Sequence, residues 1–168
     1  YGGEPARASQ LWADRAGREK SSTKVNRARW RAVTRAVIGG DYELAATRLE
    51  ELGEKVRRGV DTDERAWLSG WIPYRRGLLA SAEKGFRTYL QRKSPGRRFA
   101  AEYFLGKAML GTREEGKRTE AIERLRSLER RGTESMESHG ILGGLTANSR
   151  LVARGLLDSE RPAATARP

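Results

Sequence analysis

The segment ESMESHG, Glu134 to Gly140, is the densest group of side chains in the chain that could do chemistry. It holds two glutamates, two serines and the only histidine, His139. A glycoside hydrolase needs a carboxylic acid in an apolar pocket, which raises its pKa, and a second carboxylate across a cleft. Thr133 followed by acidic residues is also a typical helix start, in which the Thr hydroxyl caps the first turn. We interpret the segment as such a start and expect no catalytic residue in it.

The chain of 168 residues lacks the patterns of the common cofactor and metal sites. It has no cysteine, which excludes disulfides, thiol nucleophiles and thiolate metal sites. One histidine cannot form a multi-histidine metal site. No P-loop and no glycine-rich dinucleotide turn occurs, since the glycines of GILGG follow no predicted strand. We therefore expect a protein that is not an enzyme and that uses neither a cofactor nor a metal.

Basic residues form the second group of side chains that could bind a ligand or do chemistry. The net charge is +12 and the isoelectric point lies near 10.7. Residues 1–38 hold nine Lys or Arg and three Asp or Glu, a net charge of +6. Arg27, Arg31 and Arg35 are four residues apart, so a helix presents them on one face, where they could hold phosphates or a carboxylate-rich peptide. A merely solvated face is the alternative. The charge predicts an anionic partner: an acidic protein or peptide, or an anionic polymer such as nucleic acid or cell wall.

Aromatic side chains are the third group. They could either pack in the core or line a binding groove. Trp30, Trp67 and Tyr103 follow one another at intervals of 37 and 36 residues, which favours a repeated role in the core. Trp71 and Tyr74 come four and seven residues after Trp67, so all three share one helix face. These two rings fit the core and the wall of a binding groove equally well.

Strong helix formers dominate the chain, and Gly, Pro and Asp interrupt them at regular places. We predict a flexible or partly helical leader over residues 1–22, a helical domain over 23–158 and a disordered tail over 159–168. The short connections predict antiparallel neighbours. The predicted hairpins pair 23–38 with 41–57, 62–77 with 79–92, 97–110 with 117–130, and 134–142 with 147–157.

The hairpins share an internal repeat. A glycine is followed by an alanine five residues later and by a large apolar residue four further on. The copies are Gly40, Ala45 and Leu49, then Gly77, Ala82 and Phe86, then Ala121 and Leu125. The glycine permits the left-handed turn that ends the first helix, and the alanine lets the two helices approach closely. Because one hairpin cannot bury its apolar face alone, such a repeat predicts stacking.

This pattern resembles the tetratricopeptide repeat over about residues 24–131. The matching positions in one copy are Gly70, Gly77, Ala82, Phe86 and Pro95. The copies are 36 to 39 residues apart rather than 34, and Pro73 inside a first helix departs from the family pattern. The resemblance implies an all-α, right-handed solenoid of about three antiparallel hairpins plus a capping helix pair. It also implies a concave face that holds a partner segment. The groove residues we choose are Arg27, Arg31, Trp71, Tyr74, Arg75 and Lys107.

Two other functions stay open beside this protein-binding scaffold. RAWLSGWIPYRRG, AAEYFLGKAML and SHGIL resemble the superhelical domain of soluble lytic transglycosylases, which implies a non-catalytic part of a periplasmic cell-wall protein. The basic surface alone fits electrostatic nucleic-acid binding, with affinity that falls steeply with salt. We expect no membrane-spanning helix, because no run of about 18 apolar residues occurs. A soluble chain without cysteine fits the cytoplasm and the periplasm equally well.

Overall fold

The computed structural model describes residues 3–53 and 56–138. These ranges contain seven α-helices and no strand, which confirms the predicted all-α class. Neighbouring helices pack against each other, as α1 does on α2 and α6 on α7. The helices are α1 (Gly3–Arg18), α2 (Ser22–Ile38), α3 (Tyr42–Leu52), α4 (Thr62–Arg75), α5 (Leu79–Leu90), α6 (Arg98–Gly111) and α7 (Glu115–Ser138).

Aspartate caps and left-handed glycines set the ends of the middle helices, as predicted. Asp41 accepts a hydrogen bond from the backbone N–H of Leu44 at 2.9 Å and so caps α3. Asp61 caps α4 through two backbone N–H groups, at 3.0 and 2.9 Å. Gly40 and Gly77, which precede α3 and α5, both have φ of +75°, where a side chain would be strained.

Two predicted boundaries are wrong. α3 ends at Leu52 rather than near residue 57, because Gly53 adopts φ of +75° and leaves the helical path. The predicted break at 130–135, with a new helix after Thr133, does not occur, since α7 continues to Ser138. A glycine inside a helix, such as the one at position 132 in the predicted break, lowers helix stability by only about 1 kcal/mol. Packing of the preceding turns can outweigh that cost, so the helix continues past the glycine. The predicted segments after residue 138 lie outside the described residues.

α1 occupies much of the predicted leader and packs on α2. Ser9 is fully buried, and its hydroxyl donates to the carbonyl oxygen of Ala32 at 2.9 Å. Pro5 lies so close to Gly39 that a Cβ added there would come within 2.6 Å of the proline Cβ. Gln10 Oε1 accepts a hydrogen bond from Arg48 Nη2 at 2.7 Å. The first two contacts fix the position of α1 against α2, and the third joins α1 to α3.

Two compact units divide the chain at residues 85 and 86, inside α5. In the first unit, Trp30 and Trp67 each keep 8% of their surface exposed, and Ala45 and Ala82 are fully buried. α5 approaches α4 closely, since a Cβ on Gly85 would lie 2.3 Å from the carbonyl oxygen of Ser69. The predicted core role of the repeated tryptophans and alanines is confirmed in this unit.

Aromatic and aliphatic side chains of α6 and α7 form the core of the second unit. Tyr103, Leu125 and Leu128 pack together, with Phe99 and Phe104 at the edge of the cluster. Tyr103 is 8% exposed and Leu125 is fully buried, as the repeat predicts.

Buried charge also joins α6 to α7. The carboxylate of Glu102 is 10% exposed and pairs with Arg98 at 3.3 Å and with Arg131 across the interface. Arg131 lies within the predicted break at 130–135, so this pair helps to hold α7 together at that point.

A second carboxylate, Glu120 on α7, has a lowered pKa. Both terminal nitrogens of Arg87 donate to it at 2.9 Å, and Arg124 Nε donates at 2.8 Å. These hydrogen bonds, that from Arg87 first, lower the pKa of Glu120 from 4.5 to about 2. A depressed pKa in the folded state stabilises the fold above the unfolded value, and the contribution is lost as the pH falls from 4.5 towards 2.

We expect Glu120→Gln to remove this acid-sensitive contribution. At neutral pH the variant should lose less than about 1 kcal/mol, because the 39% exposed carboxylate is screened by solvent. The difference in unfolding free energy from the wild type should shrink as the pH falls through the window between 4.5 and about 2. Urea unfolding at a series of pH values measures this. Glu123→Gln, an exposed change on the same helix, is the control, and an equal pH response in both variants would contradict the assignment.

No helix among the described residues is both long and apolar enough to cross a membrane.

Candidate functional site

A basic pocket lies between the second half of α1 and the first half of α2. It has a volume of about 150 Å³. Because α1 and α2 pack side by side, residues of both helices face into it. The pocket is lined by Trp12, Arg15, Glu19, Lys24, Arg27, Ala28 and Arg31.

Trp12 organises two of the cations. The guanidinium carbon of Arg31 lies 4.5 Å from the centre of the indole ring, and that of Arg15 lies 5.1 Å from it. Cation–π contact at these distances contributes about 0.5–1 kcal/mol at an exposed site. It therefore limits the motion of both arginines and keeps their N–H groups at the pocket.

The pocket carries excess positive charge. Among the described residues, four cations and one carboxylate line it, a local charge of +3. Glu19 accepts a hydrogen bond from Arg15 Nε at 3.3 Å. Lys24 and Arg27 make no ion pair within residues 3–53 and 56–138, and both are exposed. Such an arrangement can bind an anion without first breaking a salt bridge to Lys24 or Arg27.

A larger pocket on the other flank of α1 is less suited to an anion. Its volume is about 310 Å³, and Arg29, Arg48 and Glu51 line it with small residues. The carboxylate of Glu51 accepts two hydrogen bonds from Arg48, at 3.0 and 2.9 Å. Arg29 donates to the backbone carbonyl of Glu51 at 3.3 Å. The carboxylate therefore already neutralises one of the two cations.

The aromatic candidates gather on α4, next to α3. The rings of Trp67 and Trp71 stack at 5.8 Å, and those of Trp71 and Tyr74 at 5.9 Å. The guanidinium of Arg75 lies 4.5 Å from the ring centre of Tyr42 and 5.3 Å from that of Trp71. Trp71 and Tyr74 are half-buried, so they both extend the core and form part of the surface.

Glu43 of α3 also holds the turn that follows α4, through Arg76. Arg76 Nε donates to Glu43 Oε1 at 2.8 Å, and this hydrogen bond raises the pKa of the Arg76 guanidinium. The α3–α4 cluster is thus an ordered surface of stacked rings with two arginines on its edge.

The six predicted groove residues fall into three places. Arg27 and Arg31 lie together in the basic pocket. Trp71, Tyr74 and Arg75 lie together on α4. Lys107 is exposed on α6, in the second unit.

The predicted groove residues do not include Trp12, Arg15 or Lys24 of the pocket. Trp12 and Arg15 belong to the predicted leader, although their spacing of three residues places them on one face of a helix. Lys24 stands three residues before Arg27 in the basic cluster, which is the same helical relation. The helical spacing of Trp12 and Arg15 was the available signal.

The segment from Glu134 to Gly140, the candidate for catalysis, lies only partly within the described residues. Glu134–Ser138 belong to the last turns of α7, whereas His139 and Gly140 lie outside the described residues. In the part of the chain that the structure describes, no three His, Cys, Asp or Glu side chains are grouped as a metal site would require.

Comparisons with known proteins identify no relative. No protein-family model, curated protein or solved structure matches this chain significantly. The resemblances to the tetratricopeptide repeat and to the transglycosylase superhelix therefore stay predictions.

Proposed function

We propose that this protein is a non-enzymatic binding module that holds an acidic segment of a partner protein. In this proposal the helical hairpins stack as a tetratricopeptide-like solenoid, and the basic pocket between α1 and α2 anchors the segment. The equivalent burial of Ala45, Ala82 and Ala121, all fully buried, supports the repeat. Arg27 and Arg31 are the anchoring residues, and Trp71, Tyr74, Arg75 and Lys107 are further contact candidates.

The observation that carries the proposal is the ready-made cationic pocket. Arg31 is held against Trp12, and Lys24 and Arg27 have no carboxylate partner among the described residues. Guanidinium groups bind carboxylates through paired, charge-assisted hydrogen bonds. Positive charge that is not neutralised within the described chain also steers an acidic partner towards this face.

An acidic protein segment fits the pocket better than nucleic acid does. Proteins that bind single strands use open aromatic rings on which the bases stack. Trp12 is the only aromatic side chain among the described residues that line the pocket, and two guanidinium groups already contact its ring. A volume of about 150 Å³ admits a compact charged group rather than a base with its sugar.

The double variant Arg27→Gln/Arg31→Gln tests the proposal. Hydrogen bonds to charged groups contribute about 1.5–3 kcal/mol, so losing two such groups should weaken binding of a fluorescein-labelled, Glu-rich peptide about 100-fold. Fluorescence anisotropy measures the dissociation constants. Arg35→Gln is the control, because it removes one charge from the same helix at a residue that does not line the pocket.

Two results would overturn this function. If Arg35→Gln weakened binding about tenfold, which is half of the double variant's loss in free energy, net charge alone would attract the peptide. Tighter binding of a single-stranded oligonucleotide of the same charge, with an affinity that falls steeply with salt, would make nucleic acid the partner.

A further inference from the structure

We propose that the group seated in the basic pocket is a phosphate monoester on the partner segment, as in phosphoserine or phosphothreonine. This inference rests on the proposed function and gives the chemistry of the anchoring group. It goes beyond a general preference for acidic residues, because it assigns one compact dianion to one pocket.

The charge of the pocket favours a phosphate monoester over a carboxylate. Of the described lining residues, four are cations, Arg15, Lys24, Arg27 and Arg31, and one is a carboxylate, Glu19. A carboxylate ligand supplies one negative charge and leaves a local charge of +2. A phosphate monoester supplies close to two at neutral pH and has three strong acceptor oxygens. It therefore reduces the repulsion among these cations more than a carboxylate does.

The number and direction of the hydrogen-bond donors also favour a phosphate monoester. Lys24, Arg27 and Arg31 are spaced by three and four residues, so they line one flank of α2 over two turns. Arg15 approaches from α1. Donors from two helices surround a tetrahedral group from several directions, whereas a planar carboxylate is satisfied by a single guanidinium fork.

The pocket is also partly preorganised and of a suitable size for one phosphate group. Trp12 holds Arg15 and Arg31 by cation–π contact, so part of the cost of ordering long side chains is met before the ligand binds. The pocket of about 150 Å³ has room for one such group and is open to solvent beside exposed Lys24 and Arg27. A segment can therefore enter with its modified side chain first.

Three labelled peptides test the proposal, identical in sequence except for one position that is Ser, Glu or phosphoserine. Phosphorylation adds one to three charge-assisted hydrogen bonds, so we expect the phosphoserine peptide to bind at least about tenfold more tightly than the Glu peptide. Lys24→Gln/Arg27→Gln should abolish this advantage, and Arg35→Gln should keep it. Far-UV circular dichroism checks that each variant is folded.

The pH dependence gives a second signature. Between about pH 7.5 and about pH 5 a phosphate monoester loses most of its second charge, because that pKa is about 6. The affinity of the phosphoserine peptide should fall several-fold over this range. A glutamate carboxylate in a peptide, with an ordinary pKa of about 4.3, keeps most of its charge over this range, so the Glu peptide should change much less.

The outcomes separate this inference from the proposed function. Equal affinity of the Glu and phosphoserine peptides would overturn the phosphate inference and leave an acidic-segment module. Failure of both peptides to bind would overturn both proposals. Competition by inorganic phosphate at the dissociation constant of the phosphoserine peptide would show that the pocket takes free phosphate, and would overturn the assignment to a partner protein.

Discussion

Replacing Gly85 by Ala should destabilise the protein by about 3 kcal/mol, since overpacking of a well-packed core typically costs about 1–3 kcal/mol and backbone is the least yielding neighbour. An added Cβ would lie 2.3 Å from the carbonyl oxygen of Ser69 and 2.6 Å from the backbone of Gly70. α5 would have to move away from α4, which would open the core around Ile72. Urea unfolding followed by far-UV circular dichroism measures the loss.

Two other helical glycines provide controls, because replacing them by Ala should not lower the stability of the protein. Gly17 in α1 and Gly116 in α7 have nothing within 4 Å of an added Cβ. Ala is favoured over Gly inside a helix by about 1 kcal/mol, so both substitutions should leave stability unchanged or raise it. If Gly85→Ala behaved like these two, the close crossing of α4 and α5 would be wrong.

Replacing Trp67 by Ala should cost about 4 kcal/mol, within the usual range for removing a large buried aromatic side chain. Trp67 keeps only 8% of its surface exposed, and its ring stacks on Trp71 at 5.8 Å. The cavity left in the first unit would also remove the support beneath Trp71 and Tyr74. Thermal and urea unfolding of the variant give the size of the loss.

Trp71→Ala is the informative comparison for this position. Its ring is half-buried, so its removal should cost clearly less stability than that of Trp67. As a groove candidate it should instead weaken binding of the Glu-rich peptide while the protein stays folded. An equal loss of stability in both variants, with no change in affinity, would assign Trp71 to the core alone.

The helix pattern could be predicted well because its signals are local. Asp41 and Asp61 cap helices through their own neighbouring N–H groups, and Gly40 and Gly77 adopt the left-handed turn that the repeat predicts. The spacing of Trp30, Trp67 and Tyr103 also predicted their burial correctly, since each keeps 8% of its surface exposed. Where long-range packing outweighs local preference, as at the predicted break in α7, the prediction fails.

Only the α2 part of the candidate site could be predicted from the sequence. The four-residue spacing of Arg27 and Arg31 places them on one face of α2 whatever surrounds them. Nothing in that spacing says that Trp12 will lie against Arg31, since the two belong to different helices and meet through the docking of α1. That docking depends on the buried hydrogen bond from Ser9 to Ala32 and on the close contact of Pro5 with Gly39.

By itself, then, the sequence determined the helical class, most helix ends, the buried faces and a basic face on α2. These follow from periodicity, capping and charge, which act within a few turns of one helix. Only the tertiary structure decided that α1 closes one side of that face and brings Trp12 and Arg15 to it. The reason is physical: a pocket is formed by side chains of separate helices, and their distance depends on how the helices pack rather than on the residues of either helix alone.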